Sequence, residues 1–230
     1  MSEPFTPGAG GVKGEVTTLE LSRAERSLAR RSAETRATVP SVELGCQVEM
    51  DACLKLAGEQ RAQPLSIVLA ILARRLRESP RLNGAYRDGR YELYSRVNLG
   101  IVLPGPEQPL IATLFGAAEL SIHELDAELA GLTQRAASGQ LSAAELSGST
   151  FTVTPPGPPG VTLLTPLILP PQAAAMSLGA WRESPVVRAG SLIVAQSSQL
   201  TLACDHRIVQ AHAAAEFLAT VRQALEEAAL

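Results

Sequence analysis

Aromatic residues are scarce in this sequence: four Phe, three Tyr and one Trp make up 3% of 230 residues. A core built from it must be filled by Leu, Val, Ile and Ala. With so few large anchors, it is expected to lean on contacts between subunits. The three cysteines, Cys46, Cys53 and Cys204, have no CxxC spacing and are odd in number. That pattern predicts free thiols in a reducing compartment. There is no N-terminal apolar segment of signal type and no run of 18 apolar residues, which predicts a soluble, cytoplasmic chain without a membrane partner. Neither sign of charge dominates: the net charge is -3 and the pI about 5.7. Nucleic acid is thereby excluded as the expected main partner. The sequence also lacks internal repeats and a Gly-rich phosphate loop.

What is present suffices for one large core. Hydrophobic residues are 46% and charged residues 19% of the chain, and the length suits one domain better than two. The Gly- and Pro-rich start has no hydrophobic period, so residues 1–18 are expected to be a disordered arm and residues 19–230 the domain. Ser22 to Arg36 reads as a helix with a weak apolar stripe, and Val39 to Met50 alternates as a strand. Pro64 opens a helix whose Leu65, Val68, Leu69, Leu72 and Leu76 keep a helical period, widened by Ile67, Ala70 and Ile71. Deep burial is expected for it, with Pro80 as its stop. Asp88-Gly89 signals a turn, Arg90 to Val102 a strand, and Leu110 to Leu114 its return after Pro104-Gly105-Pro106. Ser121 with Glu124 three residues on forms a capping-box pattern at the head of a helix to Ala137. Residues 150–202 are strand-rich and punctuated by proline, with two short strand signals between Ser191 and Ala203. Ala211 to Ala228 closes the chain as an amphipathic helix. The order of elements fits a mixed α/β domain in two layers.

Chemistry concentrates near the end. Leu200-Thr201-Leu202-Ala203-Cys204 runs into Asp205-His206-Arg207, which places a histidine between two charges at a strand end, just before a helix. That is a suitable place for proton transfer. Alone, a turn histidine without function reads equally well. His123 and His212 stand on helices without ligand spacing, and no metal is expected.

The surrounding stretch, Pro185-Val186-Val187-Arg188 through Asp205-His206-Arg207 to Phe217-Leu218, resembles the end of the catalytic domain of the dihydrolipoyl acyltransferases of 2-oxo acid dehydrogenase complexes. The likeness continues upstream in order: Leu28-Ala29-Arg30-Arg31, Pro40-Ser41-Val42, Pro80-Arg81-Leu82-Asn83-Gly84-Ala85, Asn98-Leu99-Gly100-Ile101, Gly148-Ser149-Thr150-Phe151-Thr152-Val153-Thr154, Thr165-Pro166 and Pro171-Gln172-Ala173. One such piece is weak evidence; several in the right order are strong.

This resemblance implies a chloramphenicol acetyltransferase-like α/β fold, a mixed sheet packed with helices in two layers. It implies transfer of an acyl group between dihydrolipoamide and coenzyme A, with coenzyme A as a substrate and the lipoyl group supplied by another domain or chain. His206 would be the general base and Thr154, where the family has a serine, the oxyanion donor. Asp205, Arg207 and Gln210 would support them. A homotrimer is implied, with His206 facing Thr154 of a neighbour, and a larger cage beyond it. The partners would be decarboxylase and dihydrolipoamide dehydrogenase components, as in a pyruvate dehydrogenase complex. Neither a lipoyl domain nor a peripheral-subunit-binding domain is readable; the lysines are Lys13 and Lys55 alone.

Departures from the pattern point to a second reading. The family's second Asp after the histidine is Gln210, its Gly is Ala211, the His of its Pro-His-Val is Ser41, and Pro155-Pro156 follows Thr154. These predict reduced activity, or a catalytically impaired scaffold that organises partner enzymes. An acyltransferase for another acceptor is a third reading, without a readable acceptor motif. The ending Glu226-Glu227-Ala228-Ala229-Leu230 offers one large aliphatic side chain, which predicts assembly that stops at the trimer.

Overall fold

Eight consecutive residues, Ser66 to Ala73, are buried in one helix, and the rest of the domain is arranged around it. The computed structural model describes residue 14 and residues 16–230. The expected arm therefore lies mostly outside the described residues. The chain runs α1 (Arg23–Thr38), β1 (Ser41–Glu49), α2 (Asp51–Gln60), α3 (Pro64–Glu78), β2 (Gly84–Arg87), β3 (Arg90–Leu93), β4 (Leu99–Leu103), β5 (Leu110–Leu114), α4 (Ile122–Ala137), β6 (Phe151–Thr154), β7 (Ala174–Leu178), β8 (Arg182–Arg188), β9 (Ser191–Asp205) and α5 (Ala211–Glu226).

The sheet has seven strands in the order β1-β9-β7-β6-β4-β5, with β8 on the same edge of β9 as β7. β4, β6 and β7 run parallel, and the other pairings are antiparallel, so the sheet is mixed. Helices α2 to α5 cover one face. Val153, Met176, Leu202 and Leu44 share a row across four strands and point into that layer with Phe151, Leu69 and Leu72. The core is aliphatic, as the shortage of aromatics requires.

The helix starts follow the expected chemistry where the signal is local. Ser121 accepts from the Glu124 N–H while the Glu124 carboxylate accepts from the Ser121 N–H. Ser22 and Glu25 form the same box on α1. α3 starts at Pro64 without a cap of its own; Asp126 of α4 accepts from both the Gln63 N–H at 2.9 Å and the Ser66 hydroxyl at 2.6 Å. A neighbouring helix thus satisfies donors that would otherwise be orphaned.

Two expectations need correction, and one element was not expected. The strand expected over Arg90 to Val102 is broken: β3 ends at Leu93 and β4 begins at Leu99. Between them Asn98 leaves the ladder to accept from the Gly116 N–H and donate to the Gly148 carbonyl. The two short strands expected between Ser191 and Ala203 are one 15-residue strand, because β9 pairs with β8 through its first half and with β1 and β7 through its second. α2 carries no expectation from the sequence; Met50 precedes it without a side-chain cap.

The opposite face of the sheet is thinly covered. Its row Thr154, Ser177, Thr201, Gly45 is paved with small residues. Residues 155–173 cross it as an irregular strap, close enough at Gly179 that a Cβ there would stand 2.1 Å from the Thr162 carbonyl oxygen. α1 is held on this side by the Thr35 hydroxyl, which donates to the Ile168 carbonyl at 3.0 Å, and by Arg36 with Glu43. Most of its length is exposed.

Candidate active site

Asp205 ends β9 with 1% of its surface exposed, and the chain turns at once through His206 and Arg207. The turn is closed by the Ile208 and Val209 N–H groups, which donate to the Asp205 carbonyl at 3.0 and 2.9 Å. The Asp205 carboxylate accepts from the Arg207 N–H at 3.0 Å. It also takes the Arg207 guanidinium in a fork, Nε to Oδ1 at 2.9 Å and Nη2 to Oδ2 at 2.6 Å. A planar guanidinium against a planar carboxylate fixes orientation as well as charge. Hydrogen bonding to Asp205 raises the Arg207 pKa further above its already high value. The His206 N–H donates to the Pro40 carbonyl at 2.9 Å; His206 and Arg207 are both exposed, but only the imidazole is without a hydrogen-bond partner among the described residues.

Thr154 ends β6 and is half-buried. Pro155 and Pro156 follow, and neither has a backbone N–H to continue the ladder. The base of β6 is pinned: the Thr150 hydroxyl donates to Asn83 Oδ1 at 2.6 Å, and Thr152 donates to Gln172 Oε1 at 2.8 Å. On the open face, Ser177 donates to the Leu164 carbonyl, and the buried Thr201 hydroxyl has no partner among the described residues.

Of the expected site residues, the fold brings Asp205, His206 and Arg207 together. It does not bring Thr154 to them. Thr154 pairs with Ser177 and Ser177 with Thr201, five positions before His206. Two strand spacings of about 4.8 Å and five residues at about 3.3 Å each put the two backbones on the order of 20 Å apart in one chain. Gln210 is exposed, sits at the N-cap of α5 and makes no side-chain cap bond. Arg207, the arginine nearest to it in sequence, is already held by Asp205.

The other candidates fall elsewhere. Burial pushes the Cys204 thiol up to about 12, with Asp205 adding to the effect, and burial does the same to Cys53, so neither is a nucleophile. All three cysteines are free. His123 is exposed on α4, and His212 meets Glu216 at 3.2 Å on the exposed side of α5. Arg74 is half-buried and donates to the Ala70 carbonyl at 3.0 Å, while Arg75 pairs with Glu78 at 2.9 Å. Burial, then Arg77 and Arg75, depress the Arg74 pKa. Among the described residues no three His, Cys, Asp or Glu side chains could hold a metal, and no helix is long and apolar enough to cross a membrane.

Sequence reasoning missed Tyr86 and Tyr91. Tyr86 lies under the Arg207 guanidinium at 4.1 Å, and the Tyr91 hydroxyl donates to the Arg207 carbonyl at 2.5 Å. The available signal was a pair of tyrosines flanking the Asp88-Gly89 turn at cross-strand positions.

Residues 13–230 match the family of 2-oxoacid dehydrogenases acyltransferase (catalytic domain). The chain belongs to that family. It is 26% identical over 213 residues to the dihydrolipoyllysine-residue acetyltransferase component of the pyruvate dehydrogenase complex of Rickettsia bellii, covering 88% of this chain and 51% of that protein. The chain spans about half the length, or less, of the curated relatives it matches. Its fold is that of the Azotobacter vinelandii dihydrolipoamide acetyltransferase, with a TM-score of 0.87, 22% identity and 98% of each chain covered. That structure was obtained in an investigation of a serine, a histidine and an asparagine in the enzyme's catalytic mechanism, the serine 52 positions before the histidine and the asparagine four after it. A chloramphenicol acetyltransferase shares the fold more distantly, at a TM-score of 0.53 and 13% identity, covering 86% of this chain and 93% of that one.

Proposed function

We propose that this domain transfers an acyl group between the thiols of coenzyme A and a dihydrolipoyl group, in a site formed by His206 of one copy and Thr154 of another. The observation that carries this reading is the Asp205-His206-Arg207 turn, where every group but the imidazole is tied into the fold. Thr154 lies 52 positions before His206 and Gln210 four after it, the spacing of the three residues investigated in the Azotobacter enzyme. By that spacing Thr154 retains the hydroxyl, which favours an active enzyme over an impaired scaffold.

His206 takes the proton from the attacking thiol, and the resulting thiolate adds to the thioester carbonyl. The Thr154 hydroxyl donates to the oxyanion of the tetrahedral intermediate. Collapse breaks the bond to the departing sulfur, which receives the proton back from the imidazolium. No electron transfer or metal is required.

Two such residues some 20 Å apart in one chain can meet only across two copies. An exposed apolar patch that would suit a second copy supports this reading. Pro185, Val187, Leu192 and Val194 share one face of the β8–β9 hairpin, and Val187, Leu192 and Val194 are each at least 70% exposed. We therefore propose a homotrimer in the cytoplasm, serving decarboxylase and dihydrolipoamide dehydrogenase components.

Complementation tests the shared site. His206→Ala and Thr154→Ala chains are each expected to be nearly inactive with acetyl-coenzyme A and dihydrolipoamide. Co-assembled at equal amounts, they should recover about a quarter of the parent rate, because one interface in four unites an intact histidine with an intact threonine. No recovery in verified mixed assemblies would place the site within one chain or refute the pairing. An inactive parent would support the scaffold.

A further inference from the structure

Every polar group flanking the His206 imidazole is held, and two of the holding groups come from a hairpin that lies far from it in sequence. β2 and β3 form a separate two-stranded sheet. Tyr86 and Tyr91 are directly paired across it, with ring centroids 6.4 Å apart and planes at 51°. The hairpin is fastened to the body at its base. The Tyr86 N–H donates to the Pro171 carbonyl at 3.1 Å, and the Ala173 N–H to the Gly84 carbonyl at 2.8 Å. The Asn83 amide donates to the Tyr94 and Arg96 carbonyls at 3.0 and 2.9 Å. Its distal turn, Asp88-Gly89, is free to project because both residues take the positive φ that a tight two-residue hairpin needs.

From this base the hairpin reaches the turn after β9 with two different contacts. The Tyr86 ring accepts the guanidinium of Arg207 on its face at 4.1 Å, within the range of a cation–π interaction. The Tyr91 hydroxyl donates to the carbonyl of the same residue at 2.5 Å. One contact restrains the side chain that grips Asp205, and the other restrains the peptide immediately after His206. The apolar packing of a hairpin needs neither a guanidinium stacked on a ring nor a hydroxyl bonded to an active-site carbonyl. Tyr91 is 49% exposed, so burial does not account for an aromatic residue there.

We propose that the β2–β3 hairpin is a positioning device for His206, with Tyr86 and Tyr91 as its two contact residues. The inference rests on His206 as the proton acceptor of the proposed transfer. In this role Tyr86 and Tyr91 act through Arg207 rather than on substrate; they fix the turn so that the imidazole meets the thiol in one orientation. Misplacement by about 1 Å can cost on the order of a hundredfold in rate, so loosening the turn is expected to lower kcat without weakening substrate binding.

The test uses the intact chain in its native assembly. Tyr86→Leu should lower kcat roughly tenfold while KM for coenzyme A and dihydrolipoamide stays within about twofold, and Tyr86→Phe, which keeps the π-face, should restore the parent kcat. Tyr91→Phe deletes one oxygen and should lower kcat severalfold at an unchanged folded fraction, so the proposal remains testable if Tyr86→Leu fails to fold. A parental kcat in folded Tyr86→Leu and Tyr91→Phe overturns it, as does a loss that tracks the unfolded fraction alone. A second readout separates this inference from the activity itself. With ¹³C-labelled histidine, the three imidazole signals can be assigned by replacing His206, His123 or His212 in turn. The His206 signal should broaden or split in Tyr91→Phe, while those of His123 and His212 stay in place. That shift in an inactive parent would leave the positioning role standing and sink the acyl-transfer reading; an unmoved His206 signal would sink the positioning role in either case.

Discussion

The His206 end of β9 and the Thr154 end of β6 are built in opposite ways. The first is closed by its own chain: a buried carboxylate forked to Arg207, a backbone bond to Pro40, the Tyr86 ring on the guanidinium and the Tyr91 hydroxyl on the Arg207 carbonyl. The second stops at two prolines, stands on the thinly covered face of the sheet and is roofed only by an irregular strap. One half of the proposed site is thus preorganised inside a protomer. The other half is held at its base, by Thr150 and Thr152, but open at its working end. A site assembled from a rigid half and an open half gains its geometry at the moment of assembly, which ties activity to the contact between copies.

The largest effect that can break this contrast is chemical. His206→Ala should lower kcat by at least about a hundredfold, the usual cost of a lost general base. Thr154→Val, which keeps the shape and removes the hydroxyl, should cost up to a few hundredfold through the oxyanion, and Thr154→Ser should restore most of it. Dilution below the assembly concentration, followed by light scattering alongside rate, should abolish turnover in the parent while the far-ultraviolet circular dichroism persists. Undiminished turnover by monomers would remove the distinction between the two ends.

Much of this fold was legible because its signals are local. Pro64 at the first turn of α3, the Ser121–Glu124 box and the Asp88-Gly89 turn each depend on residues within four positions of one another. What escaped depends on distant partners. The cap of α3 is Asp126, 60 positions from the Ser66 that it holds. β9 looked like two strands because one half faces the exposed hairpin and the other the core, so no single alternation runs through it. At the site, Asp205-His206-Arg207 is contiguous and was readable, and the motif around Thr154 was found by resemblance. Tyr91 is 116 positions from the carbonyl that it bonds, and nothing in its neighbourhood announces that bond.

A smaller effect probes how dry the closed end is. Cys204 precedes Asp205 on β9, and burial pushes its thiol and that of Cys53 up to about 12. An unfolded thiol ionises near 8.5. Below that pH both states hold the proton, and above it the folded chain binds more protons than the unfolded one. Stability should therefore fall as pH rises from about 9 towards 12, at about 1.4 kcal/mol per pH unit for each thiol. Urea unfolding at pH 8 and pH 10 measures the slope, and the Cys53→Ala/Cys204→Ala double variant should lose that component of it. Equal slopes in parent and variant would mean that water reaches both sulfurs, Cys204 beside the closed turn and Cys53 beside the Leu225 carbonyl of α5.

The smallest expected effect concerns the one loose residue beside the closed turn. Gln210 stands where the family pattern that the sequence resembles carries a carboxylate. If the position serves an ion pair, Gln210→Asp should raise activity and Gln210→Asn should not. The structure argues otherwise, because Asp205 already takes the Arg207 guanidinium in a fork. What Gln210 does occupy is the N-cap of α5, with the extended backbone φ -71, ψ 151 suited to a capping side chain, yet it makes no cap bond. Glutamine is too long to fold back onto the first free N–H groups, whereas Asp and Asn reach them. Both Gln210→Asp and Gln210→Asn should therefore stabilise the domain by about 1 kcal/mol, with Asp slightly ahead through the helix dipole. Thermal unfolding midpoints should rise together in the two variants, and kcat should stay within about twofold of the parent. A rise in kcat confined to Gln210→Asp would restore the charge as the purpose of that position.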